Sequence, residues 1–460
     1  MTDHIHEECG VFGIWDTTQN EVAGSIYYGL MALQHRGQES AGIAVCKTDA
    51  EKGNLCLHKQ MGVVSEVFNE ETLSKLHGNI GVGHVRYSTT GASNIENAQP
   101  IAFSYQKGTL ALVHNGNIVN TDSIREELFA QGHVLRGSTD SEILACLIAR
   151  ERAFSPSIEE AAKKAARKLI GGFAVILMSP QKLVAMRDPL GLKPMCLGKR
   201  GEHCYIIASE SCALTSVDAQ FIRDIRPGEI LTISKDGIES DTTLCDGPQA
   251  HCIFEYIYFA RLDSKIDNVS VYNARIRGGA ALAKAHPVEA DIVSGVPESG
   301  LAAAQGYAIE SGIPFAQVFH KNSYIGRTFI KPTQKERESS VHMKLSVLED
   351  VARGKRIVLI DDSIVRGTTM AGLIRMLRNA GALEVHVRIS SPPFTHPCYY
   401  GTDVPDNSQL IANRYSIEEI RQRLGADTLG YMKAEDIPQM TGDLPLCTAC
   451  FTGKYPTLVP

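Results

Sequence analysis

Val358-Leu-Ile-Asp-Asp-Ser-Ile-Val-Arg-Gly-Thr-Thr369 is an apolar run that ends in two carboxylates and passes through a loop of small and hydroxyl residues. The run begins with RIVLI (356–360), and the pattern beyond the loop predicts a helix over about 370–379 with Gly381 as its C-cap. A strand EVHVRIS (384–390) follows. Upstream, DIVSGV (291–296) leads through a Pro-Gly loop into a helix starting near Ser299. Apolar strands alternating with helices predict βαβ units and a parallel sheet.

The same stretch carries chemistry. The chain has no G-x-x-x-x-G-K-[ST] and no G-x-G-x-x-G after a strand, so neither a nucleoside-triphosphate loop nor a dinucleotide fingerprint is supported. A strand–loop–helix turn still offers free N–H groups and a positive dipole end to an anion. The hydroxyls and amides of residues 363–368 suit a monophosphate, and Asp361 and Asp362 suit ribose hydroxyls and a metal; a solvated acidic pair at an ordinary turn is the plain alternative. The stretch resembles the phosphoribosyl-diphosphate motif of type I phosphoribosyltransferases. The resemblance implies an α/β domain that binds 5-phosphoribosyl diphosphate through Asp361, Asp362, Ser363, Val365, Arg366, Gly367 and Thr368. Ser294-Gly-Val-Pro-Glu-Ser-Gly300 resembles the pyrophosphate loop of that fold, with Ser299 joining Asp361 and Asp362 around Mg²⁺. Between these elements, residues 321–338 are rich in cations, among them Arg327 and Lys331. They read either as a solvated basic loop or as a lid that neutralises leaving pyrophosphate and excludes water.

The first half differs in style. VFGIWD (11–16), SAGIAVC (40–46), GVGHVRYS (81–88), LALVHNGNIVN (110–120) and FAVILMS (173–179) are β-favouring runs. Helical patterns over 141–152 and 157–169 interrupt them, the second stopped by Gly171-Gly172. This grouping suggests an α+β domain of stacked layers. Cys9, at the start of the first strand, would alone read as a buried thiol. QHRGQESAG (34–42), GHVRYST (83–89), HNGN (114–117) and GSTDSE (137–142) change that, because each sets polar groups and glycines inside buried runs where they need partners or a ligand. One by one, Arg86 with Asp140 could be a structural ion pair, and Asn115-Gly116 a hairpin turn.

As a set, over about residues 9–235, these segments resemble the class II glutamine amidotransferases. The resemblance implies a four-layer αββα N-terminal-nucleophile (Ntn) glutaminase domain, with residues 1–8 a propeptide whose removal frees Cys9. An N-terminal α-amine, with a pKa of about 7.7–8.0, can take the thiol proton itself. The family pattern makes Cys9 the nucleophile and gives the oxyanion hole to the Asn115 amide and the Gly116 N–H. Arg86 then takes the glutamine α-carboxylate and Asp140 its α-amino group, with Arg36 shaping the pocket floor.

The two halves together resemble the amidophosphoribosyltransferase family, in its propeptide-bearing, iron–sulfur, Bacillus-like branch. The implied reaction takes ammonia from glutamine to C1 of 5-phosphoribosyl diphosphate, giving 5-phosphoribosylamine, glutamate and pyrophosphate at the committed step of purine synthesis. A homotetramer inhibited by purine nucleotides is implied as well. Cys252, Cys398, Cys447 and Cys450 match the positions of a [4Fe–4S] cluster, although four thiolates at this spacing also suit zinc. The expected division is a propeptide 1–8, a glutaminase domain 9–240 and a phosphoribosyltransferase domain 241–460 with a C-terminal cluster-binding segment. The competing readings are another class II amidotransferase, or a non-catalytic regulator that binds phosphoribosyl diphosphate.

Composition sets the bounds. The 460 residues suggest two or three domains. A hydrophobic share of 43% allows large cores, while no apolar run reaches the roughly 20 residues of a membrane span. The polar start MTDHIHEECG is not a signal peptide, so a cytoplasmic location is expected and structural disulfides are not. A net charge of −6 without a basic tract argues against nucleic acid and membrane partners.

Overall fold

The computed structural model describes all residues except 1–8, 19–20, 49–54, 88–92, 106–107, 136, 323–344, 403 and 405–406. The expected propeptide and the basic segment with Arg327 and Lys331 therefore lie outside the described residues.

Two antiparallel sheets fill the first half. One runs Gln220–Asp224, Cys196–Arg200, Cys204–Ala208, Gly10–Asp16, Ile80–Arg86, Ser40–Cys46, Leu55–Met61 in spatial order. The other runs Gly237–Asp241, Ile230–Ser234, Lys182–Arg187, Gly171–Ser179, Gly108–Ile118, Ile101–Tyr105. The strands read as near-continuous apolar runs because both of their faces are covered. Val11 and Trp15 pack with Val113, Ala174 and Ile176 between the sheets. Phe12 and Ile14, one residue out of phase, pack under the helix Ala23–Ala32. On the far side, Leu112, Phe173 and Val175 meet the helices Thr121–Ala130, Asp140–Ala153 and Ile158–Ala166. The period-2 side-chain alternation thus builds the four layers αββα.

The second half is built on a parallel sheet in the order Ile292–Gly295, Arg356–Asp361, Glu384–Ile389, Thr428–Tyr431. Val358 and Ile360 face the helices Val271–Ala285 and Gly300–Ser311, whereas Ile357 and Leu359 face Thr368–Asn379 and Ile417–Leu424. The helix expected over 370–379 starts two residues earlier, and Gly381 lies just past the C-cap Ala380 with φ +89°. Among the described residues, no helix is long and apolar enough to cross a membrane.

Candidate active site

Cys9 sits immediately before the strand Gly10–Asp16, so the first strand of the sheet carries it. Its Sγ donates to the Tyr87 carbonyl at 3.5 Å, and its own carbonyl accepts from Arg36 Nε at 3.2 Å. Burial pushes the thiol up to about 11; the Arg86 charge opposes this, and Asp140 and Glu39 add to it. The thiol is therefore almost wholly protonated near neutrality and needs a base.

The groups around it come from separate elements. Arg86 ends the strand Ile80–Arg86 and pairs with Glu39 at 3.1 Å, both well buried. Asp140 opens the helix Asp140–Ala153, where its Oδ2 accepts from the Ile118 N–H at 3.1 Å. Asn115 and Gly116 lie within the long strand Gly108–Ile118, not in a hairpin turn. Asn115 is 1% exposed, yet neither atom of its side-chain amide has a hydrogen-bond partner among the described residues. Such an orphan costs about 1–3 kcal/mol unless a ligand satisfies it. Gly116 has φ +142°, and a Cβ there would lie 2.1 Å from the Gly172 carbonyl oxygen, so only glycine fits. His114 shares Ser141 Oγ (3.0 Å) with Gln99 (3.2 Å), and Ser141 Oγ donates to Asp140 Oδ1 at 3.3 Å. Burial lowers the His114 pKa, so this ring is neutral and serves as scaffold.

The second site lies at the carboxyl end of the strand Arg356–Asp361, the edge where open α/β sheets bind ligands. Ser299 Oγ donates to Asp362 Oδ1 at 2.5 Å and Ser363 Oγ to Asp362 Oδ2 at 2.6 Å. Asp361 Oδ1 accepts from the Asp362 N–H at 2.9 Å. The loop 294–300 and the acidic pair therefore meet through Ser299. Gly367 caps the helix Thr368–Asn379 with φ +84°, and exposed Thr368 is the first helical residue. The Val365 side chain belongs to the core, so only its backbone is available to a ligand. Arg366 reaches Gln409 at 2.5 Å.

The four cysteines converge on one cavity, lined also by Lys193, Phe254, Phe394 and Tyr400. Cys252 and Cys447 are register partners of a short parallel pair. No cysteine is in a disulfide. Burial pushes Cys447 up to about 12 and Cys450 well above the usual thiol value, the latter helped by the other three sulfurs. Among the described residues, no three His, Cys, Asp or Glu side chains are set to hold a single metal ion.

Some residues of the site carried no signal that sequence reading used. Glu39 lies in the quoted QHRGQES and Tyr87 in GHVRYST, but neither had an expected role. Glu210 and Glu255 both bind Arg36, and their link depends on residues more than 170 positions apart.

Residues 84–216 match the glutamine amidotransferase domain family and residues 272–392 the phosphoribosyl transferase domain family. The amidophosphoribosyltransferase of Methanocaldococcus jannaschii is 48% identical over 98% of both chains. That of Bacillus subtilis is 46% identical over 98% of this chain and 95% of its own. The solved structure of the B. subtilis glutamine phosphoribosylpyrophosphate amidotransferase, complexed with ADP and GMP, superposes with a TM-score of 0.90 at 45% identity, covering 98% of each chain. Likeness over the full length sets aside the readings that account for only one half. With a glutamine amidotransferase domain and a phosphoribosyl transferase domain in one polypeptide, this chain belongs to the amidophosphoribosyltransferase family, which catalyses the first step of purine biosynthesis from glutamine and 5-phosphoribosyl diphosphate.

Proposed function

We propose that Cys9, once its α-amino group is free, removes the thiol proton through that amine and attacks the glutamine carboxamide carbon. The C–N bond then breaks, ammonia leaves with the proton, and water hydrolyses the glutamyl thioester to glutamate. The observation that carries this reading is Asn115, a buried amide with no hydrogen-bond partner among the described residues. An oxyanion would supply the acceptor, with the Gly116 N–H as second donor. Arg86, already oriented by Glu39, takes the substrate carboxylate, and Asp140 takes its ammonium group. Arg36 holds the Cys9 carbonyl.

In the second half, residues 363–368 hold the 5-phosphate at the helix start, and Asp361 and Asp362 hold the ribose hydroxyls. Ser299, Asp361 and Asp362 would hold Mg²⁺, which supplies charge neutralisation for the departing pyrophosphate. Ammonia attacks C1 as the C1–pyrophosphate bond breaks. Cys252, Cys398, Cys447 and Cys450 would hold an iron–sulfur cluster. The cavity that the four cysteines share supports this reading.

The proposed division is a propeptide 1–8, a glutaminase domain 9–240 and a phosphoribosyltransferase domain 241–460; the change from antiparallel to parallel sheets supports a boundary between the two halves. Binding of purine nucleotides as inhibitors is supported by the likeness to the Bacillus enzyme solved with ADP and GMP; a homotetramer and a cytoplasmic location are proposed from the family resemblance. The deciding assay is pyrophosphate release that needs glutamine, phosphoribosyl diphosphate and Mg²⁺ together. Cys9→Ser is expected to abolish release with glutamine and to keep release with ammonia; full glutamine turnover by that variant would sink the assignment.

A further inference from the structure

The segment Ile253–Ser264 (IFEYIYFARLDS) lies outside both matched domain families and has no role in the chemistry above. The structure gives one of its residues a specific partner. Glu255, 2% exposed, begins a π-helical turn, Glu255–Phe259. Its carboxylate accepts from Arg36 NH2 at 2.5 Å and from Arg36 NH1 at 3.0 Å. Arg36 is itself buried, and its NH1 also reaches Glu210 at 2.5 Å. The remaining edge of the guanidinium, Nε, donates to the Cys9 carbonyl. The planar fork is therefore fixed by two carboxylates, one from each half of the chain, and its third side fixes the backbone of the nucleophile.

Each carboxylate is anchored in turn. Glu210 accepts from His35 Nε2 (2.7 Å), Ser264 Oγ (2.6 Å) and the Arg261 N–H (2.9 Å). The turn that carries Glu255 is held by buried Arg275, which donates to the carbonyls of Tyr256, Tyr258 and Ala260 at 2.8 Å each. π-Helical turns leave carbonyls outside the regular ladder and recur at functional sites.

We infer that Glu255 is a positioning residue for Cys9, acting through Arg36, so that a residue beyond the glutaminase layers completes the glutaminase site. This rests on the reading of Cys9 as the nucleophile. A displacement of about 1 Å in a reacting group can cost roughly a hundredfold in rate. A lost Glu255 charge therefore falls on glutamine chemistry and not on the phosphoribosyl site.

The test uses the full-length enzyme and compares Glu255→Gln, Glu255→Asp and Cys9→Ser with the unaltered chain. Turnover is measured with glutamine and, separately, with ammonia. Glu255→Gln is expected to lower kcat with glutamine at least tenfold, with KM for glutamine and the ammonia-dependent rate each within twofold. Glu255→Asp, which keeps the charge, should fall in between. An unchanged ratio of glutamine to ammonia turnover, or equal loss of both, overturns the inference. If Glu255→Gln does not fold, Arg36→Lys and Glu255→Asp are read by the same ratio. Glutamine use by Cys9→Ser would refute the underlying reading instead, and so separates the two failures.

Discussion

Asn115 shows how a single side chain can hold energy for a reaction. Its buried amide has no hydrogen-bond partner among the described residues, so the resting protein bears a penalty of about 1–3 kcal/mol that an oxyanion would relieve. Asn115→Ala should therefore lower kcat with glutamine by roughly 10²–10³ without lowering Tm. Steady-state kinetics and calorimetry check the two halves of that statement. Cys9 gives a prediction in pH. Burial pushes its thiol up to about 11, so the thiol needs a base, and the proposed base is the α-amine, with its ordinary pKa of about 7.7–8.0. An amine works only as free base; kcat with glutamine should rise with pH through that range, level off above it and vanish below. A profile flat from about pH 6 to 9 would rule the amine out. Arg86, Asn115 and Asp140 stood out in sequence because each stands in a short polar word set within apolar runs, and only those words lifted Cys9 above a buried thiol. Glu39 was not, since a carboxylate that orients an arginine looks like any surface glutamate until the strand end places it.

Among the elements, the loop from strand Arg356–Asp361 to helix Thr368–Asn379 was the most legible, since its order of acids, hydroxyls and glycine is local. Its tightest demand falls on Gly367, whose φ of +84° an L side chain resists, with Ile411 Cδ1 3.0 Å from an added Cβ. Gly367→Ala should cost about 1–2 kcal/mol of stability and raise KM for phosphoribosyl diphosphate more than KM for glutamine. Thermal melts and substrate titrations measure both. Where sequence reading fell short, the contact rather than the periodicity was missing. The first-half strands were recognised as strands, 110–120 among them, and the turn that Asn115-Gly116 could form when taken alone does not occur. The glycine there serves close approach to Gly172, which local pattern cannot show.

For the whole molecule, the two halves are tied by buried contacts that no short motif announces. Arg187 pairs with Asp267 at 2.7 Å, Asn117 Nδ2 donates to the Tyr399 carbonyl at 2.9 Å, and Arg36 pairs with Glu255. Tyr399 follows Cys398 directly, so the cysteine cavity backs onto the strand of Asn115 and Gly116. Protein purified without oxygen should be brown and carry stoichiometric iron, and Cys447→Ser should lose both; colourless, zinc-loaded, active protein would overturn the cluster assignment.

The clamp on Arg36 has a practical consequence for anyone who would treat the halves as interchangeable parts. Cutting the chain near residue 240 leaves the guanidinium without one of its two buried carboxylates. Orphaning half of such a pair typically costs about 3–5 kcal/mol, against about 5–15 kcal/mol for a whole domain's stability. A glutaminase fragment, or a chimera whose second half lacks an acid at position 255, would thus inherit a fault at its nucleophile; the boundary near residue 240 is a poor place for the knife.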